Sequence, residues 1–304
     1  MSPIALALLA ASLAGAPSPP PACATTDLMP AFWSYWERAR TAEPAEQLRL
    51  FQEMVEKPNA AVYAGAFHGT PIPPSEFVPK ALAQVPELEA SMRALSGKLA
   101  RELPSELDAF RKTFPKFRCN VPVIFLFSGG AFDGATREIS GETALMFGLD
   151  VIARLKEELS PLVVHELFHV YHGEVVPDDP GTVAWGLWQE GLATYVSRKL
   201  NPDVPEQKVC CLPPIDPVKE NLPRISAELL GHLDSKDHDV YARYFLGGQD
   251  VDIPGRSAYY VGYRIASEAG KTRSLEELAA MTPEEVRALE VKALRGLAEP
   301  MNPR

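Results

Sequence analysis

Apolar side chains recur every three or four positions over most of this chain, the spacing that gathers them on one face of an α-helix. Before residue 118 three runs carry that period: Ala31 to Val55, Pro79 to Leu99 and Ser105 to Phe114, punctuated by Pro44, Pro58, Pro71, Pro73, Pro74, Pro86 and Pro104. The period breaks at Val121-Pro122-Val123-Ile124-Phe125-Leu126-Phe127, a continuous apolar run of the length of a buried strand. Gly129-Gly130 supplies a turn, a polar loop runs through Gly134, and Glu142 to Leu149 reads as a second strand. Helical spacing returns around residues 162–170 and 183–196. The loop-rich segment Asn201 to Pro223, with Pro202, Pro205, Pro213, Pro214 and Pro217, then suits a cover over a cleft or an exposed excursion. Residues 225–245 and 258–269 look helical, and Ser274 to Leu297 splits into two short helices at Thr282-Pro283. The expected fold is α+β and mostly helical, with a small mixed sheet. Residues 25–118 form an N-terminal helical region, and residues 119–304 hold the strands and a helical C-terminal part.

Residues 1–24 stand outside that pattern. They contain no charged side chain, carry an apolar run from Ile4 to Ala16, and close on Ala22-Cys23-Ala24, an A-x-A cleavage signature. The segment reads as a signal peptide, although no Lys or Arg precedes the apolar run. That run is too short to span a bilayer, and no later stretch is long enough. Export to the periplasm or the medium is the expectation; a lipid anchor on Cys23 is the alternative, but Pro20 and Pro21 fit a lipobox poorly. Cleavage after Ala24 would leave Cys119, Cys210 and Cys211, an odd number in a compartment that permits disulfides. Adjacent cysteines do not bridge each other without strain. Cys119 with Cys210 or Cys211 is therefore the simplest expectation, and three buried thiols the alternative.

A length of 304 residues permits one large domain or two lobes. A formal net charge of −10 and the lack of a basic run argue against a nucleic-acid partner.

The chemistry concentrates in His165-Glu166-Leu167-Phe168-His169. On a helix, residues four apart fall one turn above each other, so both imidazoles can meet on one cation, with Glu166 about 100° further round and free to reach water. Ser160 suits an N-cap and Pro161 the first helical position. A catalytic zinc site takes three protein ligands and leaves one position open. Downstream, Glu190 in Trp188-Gln189-Glu190-Gly191-Leu192-Ala193-Thr194-Tyr195 lies on another amphipathic helix and is the candidate third ligand. Gly186 and Gly191 would let that helix approach the first closely. A metzincin reading fails, because Val175 occupies the place of its third histidine. His172 shares the face of His169 but stands about 10 Å along the axis from His165, too far to join both on one ion.

The HELFH motif followed by a WQEGLATY segment resembles the gluzincin group of metallopeptidases, more narrowly bacterial chains described as zinc-dependent proteases, and more distantly the thermolysin and aminopeptidase-N families. The likeness runs from about Val121 to the C-terminus, with its specific motifs confined to residues 165–195. It implies a zincin-like fold, one Zn²⁺ held by His165, His169 and Glu190, Glu166 as general base, and peptide or protein substrates. It also implies an edge strand beside the metal helix that pairs with the substrate backbone, which falls on Ala144 to Gly148. A Tyr-x-x-Gly spacing similar to the aminopeptidase-N segment assigns the oxyanion-binding phenol to Tyr259, with Tyr260 next in line. One departure is Thr194, where many gluzincins carry an aspartate that orients a histidine. A zinc hydrolase of other substrates, and a silent binding module on the same helices, remain open alternatives.

The other candidates read more simply as structural: Trp33, Tyr35 and Trp36 as core rather than a substrate groove, His68 as a loop residue, and His232 and His238 as surface residues.

Overall fold

The computed structural model describes residues 23–299 except 71, 210, 211, 213 and 248–252. The chain enters on a short strand, β1 (Thr25–Asp27), followed by α1 (Met29–Ala39), α2 (Pro44–Phe51), α3 (Ala60–Ala66), α4 (Pro74–Leu82) and the long α5 (Val85–Thr113). Strands β2 (Val123–Leu126), β3 (Gly134–Ile139) and β4 (Glu142–Gly148) lead through α6 (Leu149–Leu155) to α7 (Leu159–Val175) and α8 (Val183–Leu200). The remainder is helical: α9 (Ile215–Glu220), α10 (Leu222–His232), α11 (His238–Ala242), α12 (Ser257–Ala269), α13 (Leu275–Ala279) and α14 (Pro283–Ala298). This is the α+β, mostly helical architecture that the apolar periodicity predicts.

The sheet is mixed, in the order β1-β2-β4-β3. β1, β2 and β4 run parallel, and β3 turns back antiparallel along β4 with Gly134 opposite Phe147 and Ile139 opposite Glu142. Every residue of β2 is buried, as a strand covered on both faces requires. β4, which contains Ala144 to Gly148, is an interior strand; the edge beside α7 is β3. The expectation that Ala144 to Gly148 forms the edge is corrected: strand β3, over residues left unassigned in the sequence, lies outside it. β1 is a second surprise, because the N-terminal region contributes a strand as well as helices. Its aromatic cluster is core: Phe32 stacks on Phe127, and Tyr35 and Trp36 are buried.

Local chemistry sets the helix boundaries. Thr182 caps α8 by accepting from the Trp185 amide, and Ser274 with Glu277 and Thr282 with Glu285 form reciprocal capping boxes at α13 and α14. Ser160 does not cap α7, which begins at Leu159; its hydroxyl instead hydrogen-bonds the Asn201 side chain and ties the start of α7 to the end of α8.

Cys119 is bonded to Cys23, with Cα atoms 5.1 Å apart, which corrects the expected pairing with Cys210 or Cys211; those two cysteines lie outside the described residues. A cut after Ala24 would remove Cys23, so this disulfide requires any processing to fall ahead of it.

α8 and α12 are in backbone contact. A Cβ on Gly191 would collide with the Gly262 backbone, and one on Gly262 with the Leu187 carbonyl. Gly191 therefore serves the packing of α12 on α8, not the approach of α8 to α7, and Gly186 faces Tyr241 and Phe245. A methyl group at this crossing forces the helices apart. Gly262→Ala is expected to lower unfolding free energy by about 1–3 kcal/mol in denaturant titrations; unchanged stability would show that the crossing tolerates the group.

Candidate metal centre

Helix α7 is apolar almost all round, buried from Leu159 through Phe168 on nearly every face, and this burial carries His165 and Glu166 into the interior. α8 crosses it and brings Glu190 to the two imidazoles. His165 Nε2 lies 3.2 Å from Glu190 Oε2, His169 Nε2 lies 3.3 Å from the same oxygen, and the two Nε2 atoms are 3.0 Å apart. Among the described residues this is the group of His, Cys, Asp and Glu side chains whose donor atoms converge closely enough to hold a metal ion. Around a tetrahedral zinc with bonds of about 2.0–2.1 Å, neighbouring ligand atoms stand roughly 3.3 Å apart. The observed triangle fits that figure, and a His, His, Glu donor set suits zinc or a similar first-row cation.

The electrostatics are those of two imidazoles and a carboxylate gathered in a largely buried place. Burial opposes the Glu190 charge, but His169 and His165 override it and hold the carboxyl far below its usual range. Burial likewise opposes charge on His169, yet Glu190 pushes it up to about 9, while burial lowers His165. One imidazolium thus balances one carboxylate. His165 Nδ1 is buried with no hydrogen-bond partner among the described residues. Thr194 does not orient it, since its hydroxyl donates to the Glu190 backbone carbonyl.

Glu166 stands apart from the ligand group. Its carboxyl lies over the bare backbone of Gly134 at the start of β3, where an added Cβ would come within 2.6 Å of Glu166 Cδ. Burial pushes Glu166 up to about 8. The loop that delivers Gly134 is pinned by Asp150, whose carboxylate accepts from the Ser128 and Gly130 amides and the Ser128 hydroxyl. Asp133, next to Gly134, binds Arg256 at 3.2 Å through both terminal nitrogens.

The two tyrosines separate. Tyr259 lies nearly parallel to the His165 ring, 6.2 Å between centroids, with the Arg256 guanidinium 5.8 Å from the Tyr259 ring centroid. Burial, then Glu190, keeps its phenol protonated. Tyr260 is buried elsewhere and its hydroxyl accepts from Arg264. His172 is neither ligand nor solvated: its ring is sandwiched between Phe168 and Trp185, and burial lowers it to about 4. His68 and His238 are exposed, and His232 sits by Tyr244, away from the cluster. Gly134, Asp150 and Arg256 escaped the sequence reading; a glycine closing the polar loop was the available signal.

No protein-family model matches this chain, and neither a curated protein nor a solved structure is significantly similar to it.

The titrations fix a sign. His169, raised to about 9, stabilises the metal-free fold fully below its ordinary pKa near 6.5 and loses that contribution as pH rises through about 9. Glu166, raised to about 8, acts in the same direction because the folded state keeps a proton that the unfolded chain releases. The Tm of the metal-free protein should therefore fall between about pH 6.5 and 9. Zinc, whose ligands must be deprotonated, should stabilise increasingly over the same interval. Thermal melts with chelator and with excess zinc test this; a metal-free Tm that rises there contradicts the assignment.

Proposed function

We propose that this protein is an exported, zinc-dependent peptide hydrolase working in the manner of the gluzincins that its HELFH and WQEGLATY segments resemble. The observation that carries the reading is the 3.0–3.3 Å triangle of His165, His169 and Glu190 donor atoms, with a buried, separately held Glu166 on the same helix. A zinc ion held there supplies Lewis acidity, polarising a carbonyl and making water acidic near neutrality.

Each surrounding residue has a task in that reaction. The Glu166 carboxylate takes a proton from water as it attacks the peptide carbonyl and passes it to the leaving amine nitrogen, and a group that titrates near neutrality suits both steps. Gly134 keeps that carboxylate in place, because no side chain intervenes between it and the β3 backbone. Tyr259 keeps its proton and donates its O–H to the carbonyl oxygen as negative charge gathers there. The start of β3, from Gly134 to Thr136, would offer outward backbone N–H and C=O groups to an extended peptide, so that binding is largely independent of side chains, whereas α3 packs on the strand at Glu138. The Cys23–Cys119 disulfide supports export, since such bonds persist in oxidising compartments. Among the described residues no helix is long and apolar enough to cross a membrane.

Digestion of a mixed peptide pool, read by mass spectrometry with and without chelator, tests the activity; no cleavage at full zinc occupancy would refute it. Glu166→Gln should retain zinc and lose about 10²–10⁴ in kcat. Tyr259→Phe should lose about 10²–10³ with zinc content unchanged. Tyr260→Phe is the control, expected to leave turnover in place, and equal losses at both tyrosines would remove Tyr259 from the oxyanion role.

A further inference from the structure

A cavity of about 670 Å³ lies away from the His165, His169 and Glu190 cluster, none of whose side chains lines it. Arg256 forms part of its wall and also bonds Asp133 next to Gly134, while its guanidinium approaches the Tyr259 ring that stacks on His165. The cavity and the candidate catalytic groups are therefore joined through one side chain.

The wall carries a charge opposite to that of the chain. Arg154, Lys156, Lys208 and Arg256 face Glu157 and Glu158, on a protein whose formal net charge is −10. Burial, then Asp133, pushes the Glu157 carboxyl up. Arg256 is neutralised by Asp133, but Arg154, Lys156 and Lys208 make no ion pair among the described residues. With Glu158 the one carboxylate of the wall left to offset these three cations, the wall keeps a positive excess that favours an incoming anion.

Backbone conformation marks the same wall. Among the described residues three non-glycine positions have left-handed φ: Ser140, Lys156 at 54° and Arg256 at 58°. Two of these are cations of this one cavity. Glycine would adopt that conformation freely, whereas a long side chain there is strained and persists where its position is needed.

We propose that this cavity is an anion subsite of the substrate cleft, where Lys156, Lys208 and Arg154 receive a carboxylate carried by the peptide. The inference rests on the peptide-hydrolase reading for the identity of its ligand. The carboxylate belongs either to the peptide C-terminus or to an Asp or Glu side chain, and the chemistry of recognition is the same for both.

Three hexapeptide pools separate these sources: an amidated pool without Asp or Glu, the same pool with one fixed Glu, and a free-acid pool without Asp or Glu. Binding of each to the zinc-loaded full chain carrying Glu166→Gln is measured by competition against a fluorescent free-acid pool, so no turnover is required. At least one anionic pool should bind about tenfold more tightly than the neutral one, and 1 M salt should erase most of that preference. A preference for the free acid identifies the terminal carboxylate, and one for the fixed Glu identifies the side chain. Lys156→Gly and Lys208→Ala, each added to that background, should cut the preference about threefold or more. The Tm of Lys156→Gly should not fall, because glycine removes the backbone strain. Equal binding of all pools, or an undiminished preference in both variants, overturns the subsite. A salt-sensitive preference that both variants reduce, in a protein that cleaves no peptide, supports the subsite and refutes the hydrolase reading separately.

Discussion

A carboxylate held between two imidazoles in a largely buried place is the constraint on which the rest of this structure depends. Removing a charged Glu190 from water is costly unless opposite charge meets it closely, and His165 and His169 do so from a single face of α7. That arrangement demands two helices in fixed relation, because a displacement of an ångström at either would leave the charge unmatched. The hydroxyl of Ser160 on Asn201 and that of Ser197 on the Pro161 carbonyl tie α7 to α8 at the end away from the cluster. The same bonds close the register between the elements that carry the three donor atoms.

The second relation is between α8 and α12, and glycine makes it possible. Where Gly191 meets Gly262, one residue beyond Glu190, the two backbones touch. Tyr259 lies almost one turn before that contact, so it is delivered to the His165 ring by the same crossing that buries Glu190. The sheet delivers the remaining group. Asp150 gathers the amides of the loop after β2, the loop sets Gly134 beneath Glu166, and the antiparallel β3 lies at the edge of the sheet next to α7. Three separate packing solutions thus converge on one volume, each through a position with no side chain or a fully satisfied buried carboxylate.

Around this volume the electrostatic pattern is asymmetric. The donor group itself balances one imidazolium against one carboxylate, and Asp133 with Arg256 forms a second compensated pair next to it. Beyond Arg256 the balance ends, and the cavity wall carries cations in excess.

Periodicity along the chain was enough to give an α+β, mostly helical protein with strands near residues 123 and 145. The i, i+4 histidines and a glutamate on the following helix were enough to name the three side chains that converge, because a helix fixes which residues share a face regardless of its surroundings. Ranges were less secure where proline misled: Pro104 lies inside α5, which runs unbroken from Val85 to Thr113. Other features depended on pairings between distant segments, which no local pattern encodes. Strand order made β3 rather than β4 the edge, β1 joined the sheet from the N-terminal region, and Cys119 found Cys23 across 96 positions. The choice between Tyr259 and Tyr260 was of the same kind, since adjacent helical residues differ by about 100° and only the docking of α12 on α8 decides which one meets His165. Spacing along one helix is a property of the backbone and survives in the sequence; which surfaces then meet depends on the packing of the whole, and only the tertiary structure carries it.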